Sequence, residues 1–281
     1  VATDLLSGSF IDMLYNAMAL ASLGITRLDG LQGNVAIPKK SAGATAYWVA
    51  ESGSPTESQP TLAQVTMSPK TIGAYTDYSR RLMLQSSLSV EQFVRNDLAQ
   101  ALALGLDLAG IHGTGSSNQP TGILATSGIG DVAGGTNGDA PTWADIVGLE
   151  SAVSVANAAI GNLAYLTNAK VRGKLKTTEK ASSTGQFVWG DGATPLNGYN
   201  AVVSNQVSST LTKGTADSIC SAILFGNWAD LILGLWGGLE ILTDPYTGST
   251  SGTVRVVALQ SADYGVRHAG SFAAMHDALT T

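Results

Sequence analysis

Residues 89–111 constrain the fold more than any other stretch of the chain. Val90, Phe93, Val94, Leu98, Ala101, Leu102, Gly105, Leu108 and Ala109 recur at helical steps, and Glu91, Arg95, Asn96 and Gln100 fall mostly on the opposite side. That is the period of an amphipathic helix. Ser89 and Gln92 have capping-box spacing at its start. Six turns rise roughly 30–35 Å at about 1.5 Å per residue, well beyond the mean helix of about 11–12 residues. Such a helix is a rigid spine, and the remaining elements must be arranged around it. It stops at Gly113-Thr114-Gly115, a turn before Gln119-Pro120.

The pattern on either side mixes periods. Residues 9–23 read as a helix, with Phe10, Ile11, Leu14, Tyr15, Met18 and Leu20 against Asp12 and Asn16, and Gly24 as its stop. Residues 34–38 read as a short strand ended by Pro38, and residues 44–51 as a second strand. Residues 52–64 have the composition of an exposed loop. Val65 and Met67, then Ile72, Ala74, Thr76 and Tyr78, alternate with polar residues. The two strands and their polar tip predict a long hairpin with too few apolar side chains for a core of its own.

Residues 126–141 form a Gly- and Thr-rich connector. Thr142 with Asp145 opens a helix to about residue 157. A strand follows over 163–166, and Asn168 caps a helix to about residue 178. Further strands are predicted at 186–189, 200–204, 219–225, 231–236, 238–243 and 253–262, with a hairpin loop at 244–252. Separated strands and helices read as α+β, without an internal repeat.

Charged residues make up only 13% of the 281, against 44% hydrophobic, where charged residues ordinarily make up about 25%. The size allows a large core. A surface so poor in charge fits either a Ser-, Thr- and Gly-rich β surface or one covered by other subunits. The net charge of −6 argues against a sequence-reading nucleic-acid binder, which normally carries a basic patch. Lys170, Arg172, Lys174, Lys176 and Lys180 form the one basic cluster, read as a solvated helix face. Cys220 is the single cysteine, so no internal disulfide forms. No apolar run reaches the ~18–20 residues of a membrane span.

No residue set carries catalytic chemistry. His112, His268 and His276 lack carboxylate or Cys partners at metal spacing. Gly173-Lys174 is followed by Leu175 and lacks the first glycine of a phosphate loop. Gly113-Thr114-Gly115 follows a helix, whereas a dinucleotide turn must follow a strand. Gly248-Ser249-Thr250-Ser251-Gly252 is a polar hairpin tip rather than a nucleophile elbow. These motifs call for no cofactor and identify no enzyme, and scattered Asp and Glu residues leave a carboxylate pair open.

A series of short segments, in order, resembles the major capsid proteins of tailed bacteriophages with the HK97 fold. Trp48-Val49-Ala50-Glu51, Pro60-Thr61-Leu62 and Ser68-Pro69-Lys70 are similar to the edges of that family's extended loop. Tyr78-Ser79-Arg80-Arg81-Leu82-Met83 resembles the approach to its spine helix, and Asp107-Leu108-Ala109 through Ile123-Leu124 the exit. Leu196-Asn197-Gly198-Tyr199 with Val202-Val203-Ser204 resembles a strand start in its axial domain. Phe225-Gly226-Asn227-Trp228, Leu239-Glu240-Ile241 and the stretch 255–272 continue the likeness, which covers about residues 10–275.

The resemblance implies an HK97-like α+β fold with an N-terminal arm (1–32) and an extended hairpin loop (45–80). A peripheral domain would hold the spine helix (33–44 and 81–124, with strands from 236–263). An axial domain would take 125–235, with 264–281 returning to it. It implies pentamers and hexamers closing into an icosahedral shell around double-stranded DNA, bound without sequence specificity. Trp48, Glu51, Pro60, Leu62, Lys70, Arg80 and Arg81 are the implied subunit-interface residues. Portal, scaffold or protease, and decoration proteins, are implied assembly partners, with no membrane. The shell would assemble in the host bacterial cytoplasm and reside in the virion. Val1, not preceded by Met, is expected to mark a maturation cleavage.

Some relatives join a loop Lys to a neighbour's Asn with help from a buried Glu, which must take the amine's proton. Here residues 52–64 contain no Lys, Gln260 stands near the Glu position and Thr253 near the Asn position, so a shell without cross-links is expected. An encapsulin compartment, which shares the fold, and a hydrolase or other soluble enzyme are the alternatives.

Overall fold

The computed structural model describes residues 18–85 and 90–280. In chain order its first strands are β1 (Thr26–Leu28), β2 (Val35–Ala42), β3 (Thr61–Met67) and β4 (Lys70–Ser79), followed by helices α1 (Arg80–Gln85) and α2 (Val90–His112). Then come β5 (Gly130–Asp131), α3 (Trp143–Val155), β6 (Leu163–Thr167), α4 (Ala169–Thr177), β7 (Asn200–Val203) and β8 (Leu211–Lys213). The chain closes with β9 (Ala216–Asn227), β10 (Leu231–Asp244), β11 (Thr253–Val266) and β12 (Phe272–Leu279).

These strands make two sheets and a separate ribbon. One sheet runs β1-β10-β11-β4, with β10, β11 and β4 antiparallel and β1 parallel to β10. The long helix α2 covers one of its faces. Leu98 and Leu102 of α2 bury against Tyr78, Val254, Val256 and Ala258. Alternate β11 residues therefore point at the helix, the pattern of an antiparallel sheet covered on one side. The second sheet runs β5-β12-β9-β6-β7, with β8 pairing β9. Its strand β9 is buried from Cys220 to Gly226 because both faces are covered there. Ile223 and Phe225 enter a core with Ile146 and Leu149 of α3 and Val171 and Leu175 of α4. Ala222 and Leu224 enter another with Trp228, Leu231, Tyr264 and Phe272. That second core also takes Ile111 from the end of α2, so it joins the two sheets.

The helix starts follow the sequence. Thr142 and Asp145 close a capping box before α3, and Asn168 accepts the Val171 N–H at 2.9 Å before α4. The expected spine is α2. Its expected cap, Ser89, and residues 9–17 of the expected first helix lie outside the described residues, as does Val1. Residues 19–24 form a turn, with Leu23 N–H donating to Ala19 O at 3.2 Å.

Four expectations are corrected. Pro38 does not end a strand. β2 runs through it to Ala42, because β2 pairs only with β3 and an edge strand tolerates a missing N–H. The strand expected over 44–51 is absent, so the hairpin is β2–β3 with 43–60 as its tip. Residues 231–243 form one strand, β10. The register shifts between Trp236 and Glu240, and Gly237 takes φ +77° there, so the Gly237-Gly238 pair makes a bulge rather than a break. Residues 186–189 make isolated bridges, Glu179 to Phe187 and Trp189 to Leu196, in place of a strand.

Candidate assembly interface

The β2–β3 ribbon projects from the body with almost nothing buried. Val35, Ile37, Val65 and Met67 at its root face inward, and only Met67 is fully buried. Beyond Ala42 the chain from 43 to 60 is exposed apart from half-buried Ser58. Its internal bonds are local, with Thr45 N–H to Ser58 Oγ at 2.8 Å and Gly53 N–H to Ala50 O at 2.9 Å. An apolar cluster nonetheless sits on this tip. Trp48 is fully exposed at 105%, Leu62 is at 78%, and Tyr47 and Val49 are close to half exposed. A large aromatic side chain buries about 150–250 Å² when it is covered, so this tip has the surface of one half of a contact.

The root of the ribbon is pinned by one carboxylate. Asp263, 3% exposed, accepts from Lys70 Nζ at 2.8 Å, from Ser68 N–H at 3.0 Å and from Tyr264 N–H at 2.9 Å. The bend between β3 and β4 is therefore held by hydrogen bonds that satisfy a buried charge. The other predicted interface residues scatter. Glu51 and Pro60 are exposed on the tip, and Leu62 lies just inside β3. Arg80 and Arg81 start α1 on the far side of the β4–β11 pair. The Arg80 amide donates to Gly252 O at 3.0 Å and its guanidinium reaches Pro245 O at 3.4 Å. Trp48, Glu51, Pro60 and Leu62 are all exposed on the tip and the start of β3, Arg80 and Arg81 lie at the far end of β4, and the Lys70 charge is held inside the subunit.

Sequence reasoning missed two anchors. One is Asp263. The other is Asp107 on α2, whose carboxylate accepts the Ala19 N–H at 3.0 Å and the Leu20 N–H at 2.9 Å. Burial pushes its pKa up, and those two bonds pull it back. Both are single carboxylates inside stretches of buried residues, and that is the signal that could have found them. At the end of α2, His112 Nε2 accepts the Ser208 N–H at 2.9 Å and so must be neutral. Burial, then the neighbouring His276, hold its pKa below the ordinary 6.5. Gln206 donates to Leu104 O at 3.0 Å, so the same loop is tied to α2 at two levels.

Catalytic chemistry finds no foothold in this arrangement. No group of three or more His, Cys, Asp or Glu that could hold a metal occurs among the described residues. The Cys220 thiol is buried, and burial raises its pKa, the opposite of a reactive thiolate. A groove of about 310 Å³ between α2 and β10 is lined mainly by Leu20, Leu102, Leu106, Leu235 and Leu239. Its one carboxylate, Asp107, is already bonded to backbone. No described helix is long and apolar enough to cross a membrane.

Residues 1–277 match the phage capsid family. The chain belongs to the phage capsid family. That membership is structural and not enzymatic. The major capsid protein of Halomonas phage phiHAP-1 is 34% identical over 272 residues, 97% of this chain and 42% of that protein. The major capsid protein of Klebsiella oxytoca phage phiKO2 is 27% identical over 115 residues, 41% of this chain and 27% of that protein. The chain thus spans less than half the length of the curated relatives it matches. Among solved structures, the capsid of a native GTA particle computed with C5 symmetry superposes with a TM-score of 0.79 at 19% identity, covering 98% of this chain and 95% of that one. A chain of Mycobacterium phage Ogopogo superposes at 0.73 and 19% identity, covering 99% and 97%. The fold is the HK97-like α+β capsid fold.

Proposed function

We propose that this capsid-family chain is the repeating subunit of an icosahedral phage shell, assembled from pentamers and hexamers around double-stranded DNA. The observation that carries this reading is the coreless β2–β3 arm with Trp48 fully exposed at its tip. An arm of this kind gains stability only by lying on another surface, and in a shell that surface is the neighbouring copy. Rotational, heterologous contacts close into rings, and one subunit makes several of them. In this reading the sheet packed on α2, with 33–44, 81–124 and 236–263, is a peripheral domain. Residues 125–235 and 264–281 are an axial domain, 45–80 an extended loop and 1–32 an N-terminal arm. Trp48, Glu51, Pro60, Leu62, Arg80 and Arg81 face neighbours, and Lys70 fixes the loop from inside. Portal, scaffold or protease, and decoration proteins, would act with the subunit in the host cytoplasm, and the finished shell would be the virion capsid.

The shell is held without covalent cross-links. The tip 43–60 carries no Lys, Lys39 and Lys40 stand on β2 before it, and Lys70 beyond β3 is paired with Asp263 at 2.8 Å. Gln260, near the place where a carboxylate would have to take the amine's proton, is buried and donates to Ser261 O at 3.2 Å. Shells boiled in detergent should release a single band at the monomer mass. A ladder of covalent oligomers would contradict this part of the reading. Purified protein that gives only monomers or dimers in negative stain and sedimentation would contradict the whole.

A further inference from the structure

The sheet containing β9 has two free edges, and they carry opposite charge. At one end lies β7, the last strand in the order β5-β12-β9-β6-β7. The crossover helix α4 joins β6 to β7 and packs on this end of the sheet through Val171 and Leu175. Its outward residues Lys170, Arg172 and Lys176 are exposed. Arg172 and Lys176 line a polar groove of about 470 Å³ beside Ala201 and Val203 of β7, with Asp191 as its one carboxylate. The ion pairs among the described residues are Arg27–Asp29, Lys70–Asp263, Arg95–Glu91 and Arg255–Asp77, so none involves α4. A chain of net charge −6 thus exposes Arg172 and Lys176 beside β7, with Lys170 exposed on the other flank of α4 at its start.

The opposite edge is acidic. β5 pairs with β12 through Asp131↔Ala274, and Asp139 bridges to Ala278 further along the same strand. Both aspartates are exposed and neither is in an ion pair. Four residues of strand separate the two contacts, about 13 Å at ~3.3 Å per residue. Lys170 and Lys176 are six helical residues apart, about 9 Å at ~1.5 Å per residue. Long Lys and Arg stems span the difference. Lys213 of β8 pairs with Ala216 of β9, and Asp217, the next residue of β9, is exposed.

We infer that the α4–β7 edge of one subunit docks against the β5 edge of the next copy in the same ring, Lys170, Arg172 and Lys176 meeting Asp131 and Asp139. This rests on the shell-subunit reading and names the contact that closes its rings. Opposite charge on opposite edges of one sheet is what a head-to-tail contact needs and what a two-fold contact does not. It also sets direction, since like edges repel.

The test uses charge reversal in the full chain. One variant carries Lys170→Glu, Arg172→Glu and Lys176→Glu; a second carries Asp131→Lys and Asp139→Lys; a third carries all five. Circular dichroism confirms folding, and sedimentation reports the assembled fraction. Each single-edge variant should assemble at least tenfold less than the unaltered chain, and the five-fold variant should recover most of the loss. Assembly of the unaltered chain should weaken between 0.1 and 1 M salt, as the screening length falls from about 10 to about 3 Å. Normal assembly of either single-edge variant overturns the inference, as does a folded five-fold variant no better than its parents. Loss on the α4 side alone would assign that face to another polyanion such as DNA, and also overturns it. An unaltered chain that never forms rings or shells overturns the shell reading and this contact with it.

Discussion

The body and the arm of this subunit are built on opposite principles. In the body, β9 sends alternate residues into two cores, and Phe225 stacks on Tyr165 and Tyr199 with ring centroids 4.4 and 5.1 Å away. In the arm, Trp48 touches solvent on all sides. The same chain buries Tyr165 and Phe225 completely and leaves Trp48 bare. The body contains the apolar surface that specifies it. The arm has ribbon hydrogen bonds and a fixed root, and its apolar surface waits for a partner. Stability in the body is intramolecular, and stability in the arm is a property of the assembly.

Substitutions that separate those two kinds of stability test the contrast. The largest effect is expected from Phe225→Ala, which empties the centre of a packed core. It should cost about 3–5 kcal/mol of subunit stability, measured by urea unfolding. A loss below about 1 kcal/mol would mean that the body is not packed as described. Trp48→Ala should leave subunit unfolding within about 0.5 kcal/mol of the unaltered chain. It should weaken assembly by about 2 kcal/mol per contact, roughly 30-fold in affinity. The reverse outcome, a destabilised subunit with normal assembly, would place the ring inside its own body.

The smallest effect concerns the tie between the end of α2 and the loop carrying Ser208. Folding holds the His112 pKa below its ordinary 6.5, so acid protonates the unfolded chain first. The bond's contribution is therefore full above about pH 6.5 and is lost as pH falls through the lower folded value. One hydrogen bond is worth roughly 0.5–1.5 kcal/mol. His112→Gln keeps an acceptor without the titration, so unfolding stability between pH 7 and 5 should become flatter. An unchanged slope would assign that pH dependence elsewhere.

The sequence shows the body better than it shows the arm, for the same reason. The spine helix is legible because an apolar stripe over six turns has no other explanation, and the caps at Thr142 and Asn168 mark their own helices. β10 was divided in two because Gly237-Gly238 looks like a stop, and only pairing with β11 across the gap reveals a bulge. Pro38 looked terminal because its tolerance depends on β2 having a free edge, a tertiary fact. The strand expected at 44–51 fails because Tyr47, Trp48 and Val49 have strand propensity but no partner strand, and propensity alone does not order a ribbon. The polar stretch 52–64 could be located from sequence. Asp263 stands out as a lone carboxylate in an otherwise apolar stretch, but the sequence gives no hint that Ser68 and Lys70 converge on it. The charge difference between β5 and α4 depends on strand order, which the sequence does not display.

The dependence of the arm on a neighbour is tested most directly by limited proteolysis of isolated capsomers and finished shells, with cleavage sites located by mass spectrometry. Residues 43–60 should be cut first in free subunits, because they are exposed and held only by local bonds, and should be spared in shells. The body should resist in both. Equal protection of 43–60 in the two states would show that the arm needs no partner and would contradict the account.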